Sequence, residues 1–326
     1  MFVTRRQALC AAATLALLDT DASAQNTELA RIVNGFAVGG GADTISRRLA
    51  ERMSRAGYAR SVVVESRTGA GGQIAIQYVK AAPSDGATLL LIPMFAMGIY
   101  PHTYKRLAYD PVKDFTPVST AAVFEYALAV GPAVPVSVTN VAELMAWFKA
   151  NPASASLGYP ATGSTAHFIG VTLERSAKTP IAHVGYRGGQ PAVMDMLAGQ
   201  IPGLICPIGE LTQQLKANKC RVLAMSGSQR SRFVPNVPTL AEQGFRDLMV
   251  KEWFGIFLPA GATSAVTERA NRAIREAVAD PGFAESLLAM GFEPSSGSPA
   301  ELAAALKADS ARWGELVRTI GFSAEN

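Results

Sequence analysis

"NGFAVGGGAD", residues 34–43, sets three consecutive glycines between a short apolar run and the start of a helical pattern. Glycine is favoured where a side chain would block a close approach or where φ must be positive, so Gly39, Gly40 and Gly41 mark backbone that something approaches. Upstream, "RIVNGF" reads as a strand. Downstream, Ile45, Leu49, Met53 and Ala56 recur at helical spacing, and "SVVVES" reads as a second strand. A helix along "GGQIAIQYVKAA", a turn at "PSDG" and a third strand at "ATLLLIP" complete a βαβαβ unit with a parallel sheet. Such sheets bind ligands at the carboxyl ends of their strands, which is the edge that carries the glycine loop. Amides at Gly39 to Ala42, with the positive end of the following helix dipole, suit an anion; a plain tight turn is the alternative. Neither this loop nor "GAGGQI" has the Gly-x-Gly-x-x-Gly spacing of a dinucleotide site, since Ile74 takes the last position of the latter.

The N-terminus carries a different signal. Arg5 and Arg6 form a positive start, "ALCAAATLALL" a short apolar run, and Ala22-Ser23-Ala24 a small-residue cleavage site, so residues 1–24 read as an export signal and the mature chain starts near Gln25. The twin arginine fits the twin-arginine route, while Ala8 in place of a bulky apolar residue leaves the general route open. Export places the product in a bacterial periplasm or outside the cell. The formal net charge of +4 has no long Lys/Arg block behind it, which argues against nucleic acid as a partner and allows a mild attraction for anions. Cys206 and Cys220 remain after cleavage, and an oxidising compartment permits a bridge between them without requiring one.

The fold class expected from the pattern is α/β, with two α/β lobes hinged around a cleft. "DFTPVSTAAVFEYALAV" is a long β-rich stretch able to leave one lobe and enter the other. A second alternating series follows: "VAELMAWFKANP" capped by Asn140, "ASLGY", a helix from about Ser164, "PIAHVGY", and further helices and strands through "CRVLAMSG". The proline-punctuated "RFVPNVPTLAEQGF" leads back through the strand "VKEWFGIFLPAG" to an ending of helices only. The last helix opens at Ser298, with Glu301 completing a capping box. The expected division is residues 25–125 with 229–326 in one domain and 126–228 in the other.

In the second lobe "YPATGSTAHF" matches the glycine loop, because Thr162, Gly163, Ser164 and Thr165 gather hydroxyls and free amides between a strand and a helix. An exported serine-dependent hydrolase using Ser164 and His167 is the rival reading. On a helix, however, that spacing only puts both on one face, and no Gly-x-Ser-x-Gly elbow occurs. His102, His167 and His183 are too scattered in sequence to suggest zinc, and no cofactor motif is present. Asp43 suits a helix cap that also braces the loop. Phe36, Phe95, Phe124 and Tyr186 lie near strand ends able to line the cleft, with core packing the default for each.

Taken in order, "FAVGGGAD", "VVVESRTGAGGQIAIQYVKAAPSDGATLLL", "YDPVKDFTPVS", "HVGYRGGQPAVMDMLAGQIPG", "VPTLAEQG", "EWFGIFLPAG" and "ARWGELVRTIG" resemble the Bug-type extracytoplasmic solute receptors of tripartite tricarboxylate transporters. The resemblance spans nearly the whole mature chain. It implies a two-lobed periplasmic binding fold of the second type, without catalysis or cofactor, that acts as a monomer to carry a small organic carboxylate to membrane transporter subunits. Carried over by motif, the ligand-binding positions are Phe36, Gly39, Gly40, Gly41 and Asp43 on one side and Thr162, Gly163, Ser164, Thr165 and His167 on the other. Phe95 and Ala96 are further candidates. Two departures stand out: Val38 replaces the usual proline, and "IPGLICPIGE" lacks the acidic and amide residues common after that strand, with Pro207 implying a less polar wall.

Overall fold

The computed structural model describes residues 27–324, so the expected export signal, with Arg5, Arg6 and Cys10, lies outside the described residues. The first unit follows the periodicities that announce it. Strand β1 (Thr27–Asn34) leads through the glycine loop into helix α1 (Gly41–Arg55), which buries Ile45, Leu49 and Met53. Then come β2 (Ala59–Ser66), α2 (Gln73–Lys80) and β3 (Thr88–Pro93). β1 pairs parallel with both β2 and β3, Val33 standing opposite Glu65 on one side and Leu90 on the other. Two short helices, α3 (Met94–Gly98) and α4 (Tyr100–Thr103), follow β3 directly.

The 16-residue strand β4 (Phe115–Val130) organises the rest. Beyond it run α5 (Val141–Ala150), β5 (Ser156–Tyr159), α6 (Thr165–Ala177), β6 (Ala182–Gly185), α7 (Gly189–Leu197), β7 (Gly203–Pro207), α8 (Thr212–Lys216) and β8 (Arg221–Met225). The chain returns through β9 (Lys251–Pro259), α9 (Ser264–Ala279), α10 (Pro281–Ala289), β10 (Glu293–Pro294) and α11 (Pro299–Ile320). The strand order is β2-β1-β3-β9-β4-β7-β5-β6, with β8 and β10 also on β4. β4 changes partners part-way: Phe115 to Glu125 pair antiparallel with β9, whereas Tyr126 to Val130 pair with β7. One strand therefore belongs to two sheet halves.

The return crossing is tied to the same point. The buried Ser226 hydroxyl accepts from Tyr126 N–H at 2.9 Å and donates to the Val250 carbonyl at 2.7 Å. Ser226 and Tyr126 also exchange a backbone bond at 2.8 Å. Capping residues sit where the sequence places them: Asn140, Ser164 and Ser298 each accept a backbone N–H at a helix start, and Glu301 closes the box on Ser298. The expected ending of helices only needs correction, because β10 is a two-residue strand pairing Glu293 and Pro294 with Val123 and Ala122. Cys206 and Cys220 are free, buried thiols, both pushed up by burial, Cys220 to about 11. No helix among the described residues is long and apolar enough to cross a membrane.

Candidate functional site

Each glycine of the 39–41 loop excludes a side chain for its own reason. Gly39 has φ +84°, a left-handed conformation that costs other residues. A Cβ on Gly40 would stand 3.2 Å from the Ala37 carbonyl and 3.3 Å from the Glu210 carboxylate, and one on Gly41 only 2.4 Å from the Phe292 ring. The loop amides already have partners. Gly39 N–H donates to Asp43 Oδ2 at 3.0 Å, Gly40 N–H to the Ala37 carbonyl at 3.2 Å, and Gly41 N–H to Glu210 Oε1 at 2.8 Å. Of the amides from Gly39 to Ala42 expected to face a guest, those of the three glycines are therefore engaged within the chain in this structure. Ala42 and Asp43 follow in the first turn of α1, where a helix offers no internal acceptor.

Between the sheet halves lies a cavity of about 30 Å³. Its wall is aromatic, formed by Phe36, Phe95, Phe124, Tyr126 and Phe254, with Pro93, Pro160 and Pro207. The polar contributions are Ser164 and Glu210, beside Ala37, Gly40, Ala42 and Gly189. Phe36 meets Phe95 edge-on at 6.0 Å, and Phe124 packs on Phe254 at 4.9 Å. Four of the residues marked in the sequence, Phe36, Gly40, Phe95 and Ser164, are thus brought together from both sheet halves, and Phe124 joins them.

The other marked residues surround this cavity without lining it. Gly39 and Gly41 line a neighbouring cleft of about 250 Å³, which shares Gly40 and Glu210 with the cavity. Asp43 turns away: it braces Gly39 N–H, pairs with Arg47 at 2.9 Å and accepts from Ser66 at 3.3 Å. Burial works to raise its carboxyl, yet the Arg47 guanidinium, Gly39 N–H and Ser66 hold it below the ordinary value. Ala96 is buried, its carbonyl taken by the Tyr109 hydroxyl. Thr165, also buried, donates to Glu252 Oε2 at 2.5 Å. Tyr186 bonds Asp195 at 2.8 Å, outside the cavity.

Thr162 and His167 face a separate cleft with Tyr159, Glu174 and His183. The His167 ring stacks on Tyr159 at 4.9 Å and lies 4.9 Å from His183, so two histidines that look scattered in sequence are neighbours in space. Three of their four ring nitrogens are engaged. His167 Nδ1 accepts from Gly163 N–H at 3.1 Å, while His183 contacts the Tyr159 hydroxyl and Glu174, each at 2.6 Å. Among the described residues no group of three or more such side chains could hold a metal ion. Burial, with His183 adding to it, lowers His167 to about 4. Ser164 Oγ accepts from the His167 backbone N–H at 3.4 Å, which makes it a helix cap rather than a hydroxyl presented to an imidazole.

Sequence reasoning missed two carboxylates. Glu210 ends "IPGLICPIGE", the stretch expected to lack acidic function, and joins Gly41 N–H to Gln190 Nε2, the latter at 2.6 Å. Burial raises its carboxyl, with the Gly41 and Gln190 bonds opposing. Glu252, fully buried on β9, accepts from Phe95 N–H at 3.0 Å, Tyr126 OH at 2.8 Å and Thr165 OH. Burial lifts it to about 7 despite these three donors. Glu210 thus takes an amide at the start of α1, where the sequence suggested a guest anion.

Comparison with known proteins places this geometry. The sequence matches the tripartite tricarboxylate transporter family receptor across residues 45–322. The chain belongs to that receptor family. A relative from Pseudomonas sp., the UPF0065 protein in the tcbD-tcbE intergenic region, is 34% identical over 283 residues, covering 86% of this chain and 83% of its own. The receptor fold superposes on periplasmic binding protein BugD with TM-score 0.85 at 28% identity, and on R. palustris Rpa4515 with adipate at the same values. Each comparison covers 90% of this chain and 98% of the other. The chain is thus a two-lobed solute receptor of the Bug type and not an enzyme, which sets the hydrolase alternative aside, and members of this receptor family work in the periplasm.

Proposed function

We propose that this receptor captures a small organic carboxylate in the cavity between its lobes and delivers it to the membrane subunits of a tripartite tricarboxylate-type transporter. The observation that carries the reading is the junction itself: the starts of α1 and α6, one from each sheet half, flank a single aromatic-walled cavity that Gly40, Ala42 and Ser164 line. Helix starts present N–H groups and a positive dipole end, which favour a carboxylate. Rpa4515 with adipate has the same fold at TM-score 0.85. In this reading Phe36, Gly40, Phe95 and Ser164 contact the guest. Gly39, Gly41, Asp43, Ala96, Thr162, Gly163, Thr165 and His167 hold the loops that present it.

The lobes in this proposal are residues 25–125 with 229–326, and 126–228, which agrees with the change of partners in β4 at Glu125 and Tyr126. The chain is exported after removal of residues 1–24 and acts as a monomer. Calorimetry with a panel of mono-, di- and tricarboxylates tests the proposal, with small-angle scattering to follow lobe movement. Binding heat with a changed scattering profile is the expected result. No heat for any carboxylate, with an unchanged profile, overturns it.

A further inference from the structure

We infer that the guest of this cleft carries one carboxylate on an apolar body rather than two, because Glu210 already holds the seat that a second carboxylate would need; this rests on the carboxylate-receptor reading above. The cavity wall contains five aromatic rings and one charged side chain, Glu210, and no lysine, arginine or histidine is among the residues that line it. Glu210 is bound as a guest carboxylate would be. One oxygen takes Gly41 N–H at the start of α1 and the other takes Gln190 Nε2, under the start of α7, where a Cβ on Gly189 would come within 2.7 Å of the carboxyl carbon. Behind the rings, Glu252 takes Phe95 N–H and the Thr165 hydroxyl in the same manner.

A dicarboxylate would therefore bring its second charge against Glu210 with no cation to offset it, and like charges in a poorly hydrated space repel strongly. The starts of α1 and α6 also reach this cavity, through Ala42 and Ser164, and the first turn of a helix lacks internal acceptors. That suits one carboxylate. The remainder of the guest would meet Phe36, Phe95, Phe124 and Phe254, surfaces suited to an alkyl chain or ring. Entry requires the lobes to part, since the cavity is about 30 Å³, and Glu210 is the side chain between it and the adjoining cleft of about 250 Å³.

Hexanoate and adipate separate the cases, because they share a six-carbon chain and differ in one carboxylate. Isothermal titration of the mature wild-type chain should show hexanoate binding at least tenfold tighter than adipate. Glu210→Gln should reduce that ratio below threefold by improving adipate. Tighter adipate binding by the wild type overturns the inference and leaves the carboxylate-receptor reading standing. An unchanged ratio in a folded Glu210→Gln protein also overturns it, by removing Glu210 as the source of the preference. No heat from either compound or from the wider carboxylate panel instead sinks the receptor reading itself. The wild-type comparison decides the main point without any substituted protein.

Discussion

Glu252→Gln should stabilise the protein at pH 8 by roughly 2–3 kcal/mol more than at pH 5. Glu252 is fully buried, and burial raises its carboxyl from 4.5 to about 7 even though Phe95 N–H, Tyr126 OH and Thr165 OH all donate to it; Asp309 adds a smaller upward push. Between those two values the folded chain keeps a proton that the unfolded chain has released, so stability falls as pH rises. The loss is absent below the unfolded value and complete above the folded one. At about 1.4 kcal/mol per pH unit, the rise costs roughly 3 kcal/mol by pH 8. Glutamine cannot ionise and resembles the protonated acid: its carbonyl can accept from Phe95 N–H while its amide donates to the Tyr126 or Thr165 hydroxyl. Urea denaturation of both proteins at pH 5, 6, 7 and 8 gives the difference directly. His167, lowered to about 4, acts in the opposite sense, because its cost grows as pH falls below its ordinary value of 6.5. That contribution is common to both proteins and cancels on subtraction. A difference that stays flat from pH 5 to 8 would refute the argument that burial governs this carboxyl.

Four further outcomes follow from particular contacts. Ser226→Ala leaves Tyr126 N–H and the Val250 carbonyl without their side-chain partner at the crossing of β4 and β9, so the urea midpoint should fall by an amount equivalent to roughly 2–3 kcal/mol. Gly41→Ala drives a methyl into the Phe292 ring, and overpacking of that kind costs roughly 1–3 kcal/mol; calorimetry should also show weaker carboxylate binding, since the loop must shift. Ser164→Ala removes the cap of α6 and should lower the urea midpoint by an amount equivalent to about 1 kcal/mol. Cys206 and Cys220 should resist thiol reagents in the native state, and after denaturation a processed chain should titrate as two thiols, against three where Cys10 is retained.

Much of the fold is legible in the sequence because its signals are local. The helical spacing of Ile45, Leu49 and Met53 forms one buried face, and Asn140, Ser164 and Ser298 cap helices within three residues of the amides they accept. β10 leaves no such trace, since two residues cannot show a period and its pairing depends on a strand about 170 residues away. That Phe36, Gly40, Phe95 and Ser164 line one cavity is legible because strand ends and helix starts converge on one edge of each sheet half. What approaches Gly41 is not legible. The Phe292 ring and the Glu210 carboxylate both come from far along the chain, and nothing in "GGG" specifies either. The nearness of His167 to His183 likewise arises from the packing of α6 on β5, to which β6 pairs, and sequence distance conceals it.

The two missed carboxylates follow from a requirement that any closing cleft must meet. Bringing two helix starts together removes water from N–H groups that have no intrahelical acceptor, and a buried unpaired donor costs about 1–3 kcal/mol. Glu210 and Glu252 supply acceptors at Gly41 and Phe95 from within the chain, so the lobes can meet with those donors satisfied. A guest carboxylate that takes Gly41 N–H must displace Glu210, and the affinity it gains is the difference between two charge-assisted bonds rather than the whole of one. Selectivity then depends on what else the guest offers. In this cavity that is contact with Phe36, Phe95, Phe124 and Phe254, so apolar area should tune affinity more than added charge does.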